Sequence, residues 1–223
     1  PMMGSEDWRG DETLDPGWHL PSELIHGTFA DYAVVPRRNA MPLPDNLAPL
    51  HASVLGTAWL TAYRALFTKS GLRPGETVLI QGATGGMATA LIQLGRAAGF
   101  EVWATSRSAE DRARAEALGA HRTFPATAPL PRKVPAVIDN VGAKTWAHSL
   151  SSLARGGTLV TVGLTTGGDV PLNILALIPD QLTIAASIMG TRKDMEDMIR
   201  MMAQTGIEPA IGTILPMDRA EEG

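Results

Sequence analysis

The chain of 223 residues contains no cysteine. That absence excludes disulfides, thiolate-ligated zinc, iron–sulfur clusters and thiol nucleophiles from its chemistry. Aromatic residues are scarce, at 5%. No apolar stretch reaches the roughly 20 residues that span a bilayer, because Gly, Pro or a charged residue interrupts each run first. Neither sign of charge dominates: 19 Lys and Arg stand against 23 Asp and Glu, a formal net charge of −4. A broad attraction to nucleic acid or anionic lipid is therefore not expected, and neither is a nucleic-acid or membrane partner. There is no internal repeat and no low-complexity tract. What is present, 44% hydrophobic and 19% charged residues, suits a chain that buries a core. Its length corresponds to about one and a half domains. A cytoplasmic address is the default expectation, with a signal segment ahead of Pro1 left open.

Residues 1–27 mix Gly, Pro and acidic residues without a sustained period and read as an irregular surface segment. Phe29 to Val35 is β-branched and aromatic, which predicts a strand leading into the proline-punctuated stretch Pro36 to Pro44. From Leu47 to about Phe67, Ala and Leu predominate and predict one or two buried helices. After Arg73-Pro74-Gly75 the pattern becomes regular. Strands are predicted at Thr77–Gln81, Glu101–Thr105, Ala136–Asn140, Thr158–Val162 and Leu182–Ser187, with a weaker one at Arg122–Phe124. Met87, Ala90, Leu91 and Leu94 fall at helical spacing before Gly99. Ser108 with Asp111 resembles a capping box opening a second helix, and Lys144 to Leu153 predicts a third before Arg155-Gly156-Gly157. Strands alternating with helices imply an α/β fold with a doubly wound parallel sheet.

The strongest chemical signal is the strand Thr77–Gln81 running through Gly82-Ala83-Thr84-Gly85-Gly86-Met87-Ala88 directly into a helix. Small residues there let backbone approach a pyrophosphate, and the helix N-terminus presents free N–H groups and a positive dipole to it. Gly85 is the central glycine of the dinucleotide fingerprint, whereas Ala83 and Ala88 occupy its first and last positions. Ala83, Thr84, Gly85, Gly86 and Met87 are the candidate pyrophosphate contacts. The place about 20 residues on, where an acidic residue would bind a ribose 2′-hydroxyl, reads Thr105-Ser106-Arg107, followed by Arg112. Ser106, Arg107 and Arg112 suit a 2′-phosphate, because guanidinium gives charge-assisted, bidentate hydrogen bonds and no carboxylate repels it. NADPH is thus expected over NADH, against the alternative that both arginines are solvated surface charges.

Gly27-Thr28-Phe29-Ala30-Asp31-Tyr32, Leu60-Thr61-Ala62-Tyr63-Arg64-Ala65-Leu66, the Gln81–Ala88 loop, Asp139-Asn140-Val141-Gly142 and Met189-Gly190-Thr191 together resemble the medium-chain dehydrogenase/reductase superfamily. Within it the chain is most similar to the zinc-independent quinone oxidoreductase branch. The resemblance implies a Rossmann domain over 73–213, interdomain helices over 51–72, the remainder of a GroES-like catalytic barrel over 1–50, and the start of a return to that barrel over 214–223. It further implies that most of the barrel lies outside the sequence. Zinc-dependent members carry a Cys where Thr57 stands here, so the resemblance implies no zinc. His19, His26, His51, His121 and His148 show no ligand spacing within one element and read as surface or packed histidines.

Without metal or thiol, catalysis rests on positioning a nicotinamide beside an electron-poor acceptor and polarising that acceptor's oxygen. The resemblance places Thr61 against the nicotinamide, with helix packing as its alternative role. It places Asn140, Gly163 and Leu164 at carboxyl ends of strands, beside the cofactor's second half. Tyr63 as proton donor is set against an ordinary packed tyrosine. Met195, Met198, Ile199 and Met202 at helical spacing, and Trp59 and Trp103, read as core. The expected function is NADPH-dependent reduction of a quinone or α,β-unsaturated carbonyl, in a homodimer paired through the Leu182–Ser187 edge. The alternatives are a non-catalytic NADPH-binding structural or regulatory protein, and an alcohol dehydrogenase with metal ligands elsewhere.

Overall fold

The computed structural model describes Gly4, Ser5 and residues 7–222. Two compact units divide the chain, residues 61–188 on the one hand and residues 1–60 with 189–223 on the other. The α-helices are α1 (Pro49–Ser53), α2 (Leu60–Tyr63), α3 (Gly86–Ala97), α4 (Ala109–Ala117), α5 (Trp146–Ser152) and α6 (Arg192–Thr205). The strands are β1 (Thr77–Gln81), β2 (Glu101–Ser106), β3 (Arg122–Pro125), β4 (Val134–Asp139), β5 (Leu153–Thr161) and β6 (Thr183–Ala186).

The unit 61–188 is a doubly wound sheet in the order β3-β2-β1-β4-β5-β6, with all five pairings parallel. The order reverses between β1 and β4, so the crevice for a ligand opens beyond the carboxyl ends of those two strands. Apolar runs such as Val78-Leu79-Ile80 are buried on both faces, as expected of central parallel strands. Leu79, Trp103, Val137, Trp146, Leu153 and Leu159 form one apolar cluster on the sheet. Helix α3 buries Ala88, Ala90, Leu91, Ile92 and Leu94. Gly95 allows its close approach, because a Cβ there would stand 3.0 Å from a methyl of Val102 on β2.

Two local expectations are corrected. Among the described residues, Phe29–Val35 joins no strand and has no ladder partner; Phe29, Tyr32 and Val34 are 84%, 92% and 93% exposed. The third helix is shorter than expected, Trp146–Ser152, and β5 starts at Leu153 and runs through Arg155-Gly156-Gly157. Its register against β4 shifts between Val134 and Ala136, where Pro135 has no N–H for the ladder. The helical stretch 49–69 alternates short α-turns with wider π-type turns at Leu55–Trp59 and Arg64–Lys69.

In the other unit, α6 opens on a capping box in which Thr191 and Asp194 bond each other's backbone, and it ends on left-handed Gly206. Met198 and Met202 are buried, while Met195 and Ile199 line a cavity of about 310 Å³ with Met41, Leu43 and Leu55. Trp59 and Trp103 are buried, as the sequence predicts.

Candidate functional site

The carboxyl edge of the sheet collects most of the residues singled out from the sequence. Gly82 leaves β1 at φ +91°, and Gly85 precedes α3 at φ +97°, backbone that only glycine adopts without strain. Nothing lies within 4 Å of a Cβ built on Gly85. Gly85 and Gly86 are exposed, Thr84 and Met87 are half-buried, and Ala83 is buried under the turn. The first bond of α3 runs from Thr89 N–H to the Gly85 carbonyl at 3.1 Å. The amides of Gly86, Met87 and Ala88 thus precede the helical ladder, and no side chain caps them. An open cradle of amides with a helix dipole behind it fits the pyrophosphate of a dinucleotide.

At the end of β2, Ser106 is half-buried and Arg107 exposed. Arg112 reaches back from α4 and donates to the carbonyls of Ser106 and Arg107, at 3.0 and 3.5 Å. Ser108 caps α4 by accepting from Asp111 N–H at 3.3 Å. The Asp111 carboxylate does not complete a capping box; it accepts from Ser106 Oγ at 3.2 Å. A negative group therefore stands beside the residue expected to face the ribose. Nothing about Asp111 in the sequence separates this role from helix capping, since both use an acidic residue in the first helical turn.

Across the crevice, Asn140 Oδ1 lies 3.2 Å from where a Gly82 Cβ would be. Gly163 packs onto the Asn140 backbone so tightly that a Cβ would meet its carbonyl oxygen at 2.4 Å. Gly142, at φ +96°, likewise has Gly167 O at 2.6 Å and Leu164 Cα at 3.0 Å from its Cβ position. These glycines let the ends of β4 and β5 converge. Beside them is a cavity of about 330 Å³ lined by Trp146, Val162, Gly163, Leu164, Val170 and Ile188. Asn140, Gly163 and Leu164 are thus brought together. Thr61 lies buried in α2, away from this edge in sequence. Tyr63 packs its ring on Phe67, with centroids 4.5 Å apart.

A buried polar cluster underlies the crevice, and the sequence reading did not find it. Asp139, at the end of β4, accepts from the amides of Val141 and Gly142 at 2.9 and 3.0 Å and from the hydroxyls of Thr145 and Ser149 at 2.8 and 2.6 Å. Gln81 pairs beside it in the sheet and bonds Thr105, His148 and Ser149.

A match to the family model described as zinc-binding dehydrogenase covers residues 86–204. The chain belongs to this family, within the medium-chain dehydrogenase/reductase superfamily. It is 34% identical to an alcohol dehydrogenase of Geobacillus stearothermophilus, covering 92% of this chain and 62% of that protein. It is 28% identical to a quinone oxidoreductase of Rattus norvegicus, covering 89% and 64%. Among solved structures, an NAD-dependent alcohol dehydrogenase superposes with a TM-score of 0.86 at 30% identity, over 95% of this chain and 64% of that one. The chain thus spans under two thirds of the length of these relatives.

The zinc implied by the family's description does not fit the donors present. There is no cysteine. Among the described residues no group of three or more His, Asp or Glu is placed to hold a metal ion. His148 is engaged by Gln81 and by the Ala128 carbonyl, and His121 by Val102 N–H and Arg96. Burial, and then the charge of Arg96, lower the pKa of His121, which favours its neutral form. No helix among the described residues is long and apolar enough to cross a membrane.

Proposed function

We propose that this dehydrogenase binds NADPH along the carboxyl edge of its sheet and transfers the hydride, without zinc, to a quinone or an α,β-unsaturated carbonyl. The observation that carries this reading is the Gly82–Gly86 loop, which opens onto the uncapped start of α3 at the switch point. When bound, the nicotinamide supplies the hydride. The chain's own residues hold and orient it: the amides of Gly86 and Met87 face the pyrophosphate, and Asn140, Gly163 and Leu164 line the second half. Thr61 is the proposed neighbour of the nicotinamide. Exposed Arg107 supports a 2′-phosphate. The rat relative named quinone oxidoreductase, and a 29% identical acryloyl-coenzyme A reductase of Sulfurisphaera tokodaii, support a conjugated acceptor.

One observation favours NADH as a second reading: the Asp111 carboxylate beside Ser106 accepts hydrogen bonds and repels phosphate. Parallel titrations with NADPH and NADH separate the two. Arg107→Ala weakens NADPH binding alone if the first reading holds, and Asp111→Asn strengthens it. Turnover is tested with a panel of quinones, enones and simple aldehydes, following absorbance of the reduced coenzyme. Binding without consumption of any acceptor overturns the oxidoreductase reading.

The reading includes a homodimer formed through β6. Support comes from its position at the edge of the sheet and from exposed Leu172, Ile174, Leu175 and Ile178 in the segment before it. Sedimentation that gives a monomer at all concentrations rejects this pairing.

A further inference from the structure

We infer that Thr105 and Gln81 are positioning residues for the coenzyme loop, holding Gly82 through one buried chain of hydrogen bonds anchored on Asp139. This rests on the loop's proposed role as the coenzyme cradle. Gly82 N–H donates to Thr105 Oγ1 at 3.2 Å, and that hydroxyl donates to Gln81 Oε1 at 2.7 Å. The side-chain amide of Gln81 then donates to Ser149 Oγ at 3.0 Å and to His148 Nδ1 at 2.8 Å. Ser149 Oγ donates to Asp139 Oδ2 at 2.6 Å, and Asp139 Oδ1 accepts from Val141 and Gly142 N–H.

The donors and acceptors allow one ordering. The Asp139 carboxylate takes the single Ser149 proton, so Ser149 accepts from the Gln81 NH₂, and the Gln81 carbonyl is left to accept the Thr105 proton. That fixes the Gln81 carbonyl toward β2 and its NH₂ toward α5, where both hydrogens find acceptors. His148 accepts at Nδ1 and donates from Nε2 to the Ala128 carbonyl at 2.9 Å. Gln81, Thr105, Asp139 and Ser149 are each at most 1% exposed, so the bonds among these four form out of competition with water. Turning any one member leaves a buried polar group without its partner, which makes the arrangement a single unit rather than a set of separately adjustable contacts.

Its ends give it a function. One end is the amide of Gly82, the first residue of the loop. The other is the pair of amides at Val141 and Gly142, where the chain leaves β4. These are the two lips of the crevice at the switch point, and the chain running beneath ties one to the other. The spacing between pyrophosphate loop and opposite wall is thereby set by side chains buried beneath the crevice. Bonds among β1, β2, β4 and α5 converge on this spot, although the parallel ladder alone already holds the strands together.

The test is Thr105→Val, which keeps the shape and removes the hydroxyl, beside Thr105→Ser, which keeps the hydroxyl. NADPH and NADH are titrated into each folded chain, and amide exchange is followed at residues 82–86 and, as a control, at residues 122–125 of β3. Thr105→Val is expected to raise the dissociation constant of whichever coenzyme the unaltered chain binds by about tenfold, the worth of about one hydrogen bond. Exchange at Gly82 speeds by a similar factor, with β3 unchanged. Thr105→Ser returns both to within about twofold of the starting values. Should Thr105→Val not fold, Ser149→Ala, which cuts the chain at its far end, is expected to shift the same two readouts in the same direction. Lower thermal stability with unchanged affinity and unchanged Gly82 exchange, in whichever of these variants folds, overturns the positioning role alone. An unaltered chain that binds neither coenzyme overturns the cradle reading and this inference with it.

Discussion

The β-branched residues of β1 and those of the segment 29–35 are chemically alike and have opposite fates. Val78 and Ile80 are fully enclosed, flanked by β2 on one side and β4 on the other. Val34, in the other unit, stands in solvent with no strand beside it. What separates them is the neighbour: apolar side chains of β-branched residues stabilise a fold only when a ladder and a facing layer remove them from water. The stability of residues 61–188 therefore resides in the six-stranded sheet.

The widest test of this contrast is a pair of truncations. Leu79→Ala, at a fully buried site, is expected to cost about 2–5 kcal/mol in urea unfolding. Val34→Ala is expected to stay within about 0.5 kcal/mol. Similar costs at the two sites would break the comparison. Next in size is a pair of glycines. Gly163→Ala forces a methyl against the Asn140 carbonyl and is expected to cost about 1–3 kcal/mol. Gly212→Ala, with nothing within 4 Å of its Cβ position and ordinary φ, is expected to be neutral or to stabilise by up to about 1 kcal/mol.

A smaller effect appears in acid. The Thr77 hydroxyl, then Trp103 Nε1 and the Arg132 guanidinium, hold the Glu101 carboxyl below its ordinary 4.5. Its folded pKa is depressed, so its stabilisation is complete above the unfolded value and is lost as pH falls through the folded one. Glu101→Gln is expected to lower stability at neutral pH and to flatten the acid limb below about pH 4.5. Asp197 on α6, hydrogen-bonded by Lys193 and then Arg200, is lowered in the same sense. Lys193 and Arg200 are 71% and 61% exposed against 51% for Arg132, so added salt is expected to weaken that cluster at least as much as the Glu101 site. The smallest effect is expected at Ser187, whose enclosed hydroxyl has no hydrogen-bond partner among the described residues. Ser187→Ala is expected to leave the unfolding midpoint unchanged or slightly raised.

The parts legible in the sequence are those whose causes are local. The run Thr77–Gln81, the glycines that follow and the period of α3 lie within one stretch of chain, and each constrains the next. The capping of α4 by Ser108 is of the same kind. Residues 29–35 were misleading because strand formation depends on a partner that the residues themselves do not encode. Arg155-Gly156-Gly157 looks like a break, yet it bulges within β5, since Pro135 on the facing strand has already interrupted the ladder. The cluster of Gln81, Thr105, Asp139 and Ser149 was invisible for a related reason. Four separate elements contribute to it, and only the parallel register brings them within bonding distance. Arg112 illustrates the ambiguity of a single charge: expected at a phosphate, it bonds the carbonyls at the end of β2.

The central claim, that the bare amides ahead of α3 grip a dinucleotide, is tested most directly by titrating NADPH and NADH into the unaltered chain and into Gly85→Val, following nicotinamide fluorescence. A Cβ at Gly85 meets nothing in the protein but occupies the space above the loop and disfavours φ +97°. Saturable binding by the unaltered chain, weakened more than about tenfold in the folded variant, is the predicted result. Equal affinity for both proteins, or no saturation with either coenzyme, contradicts it.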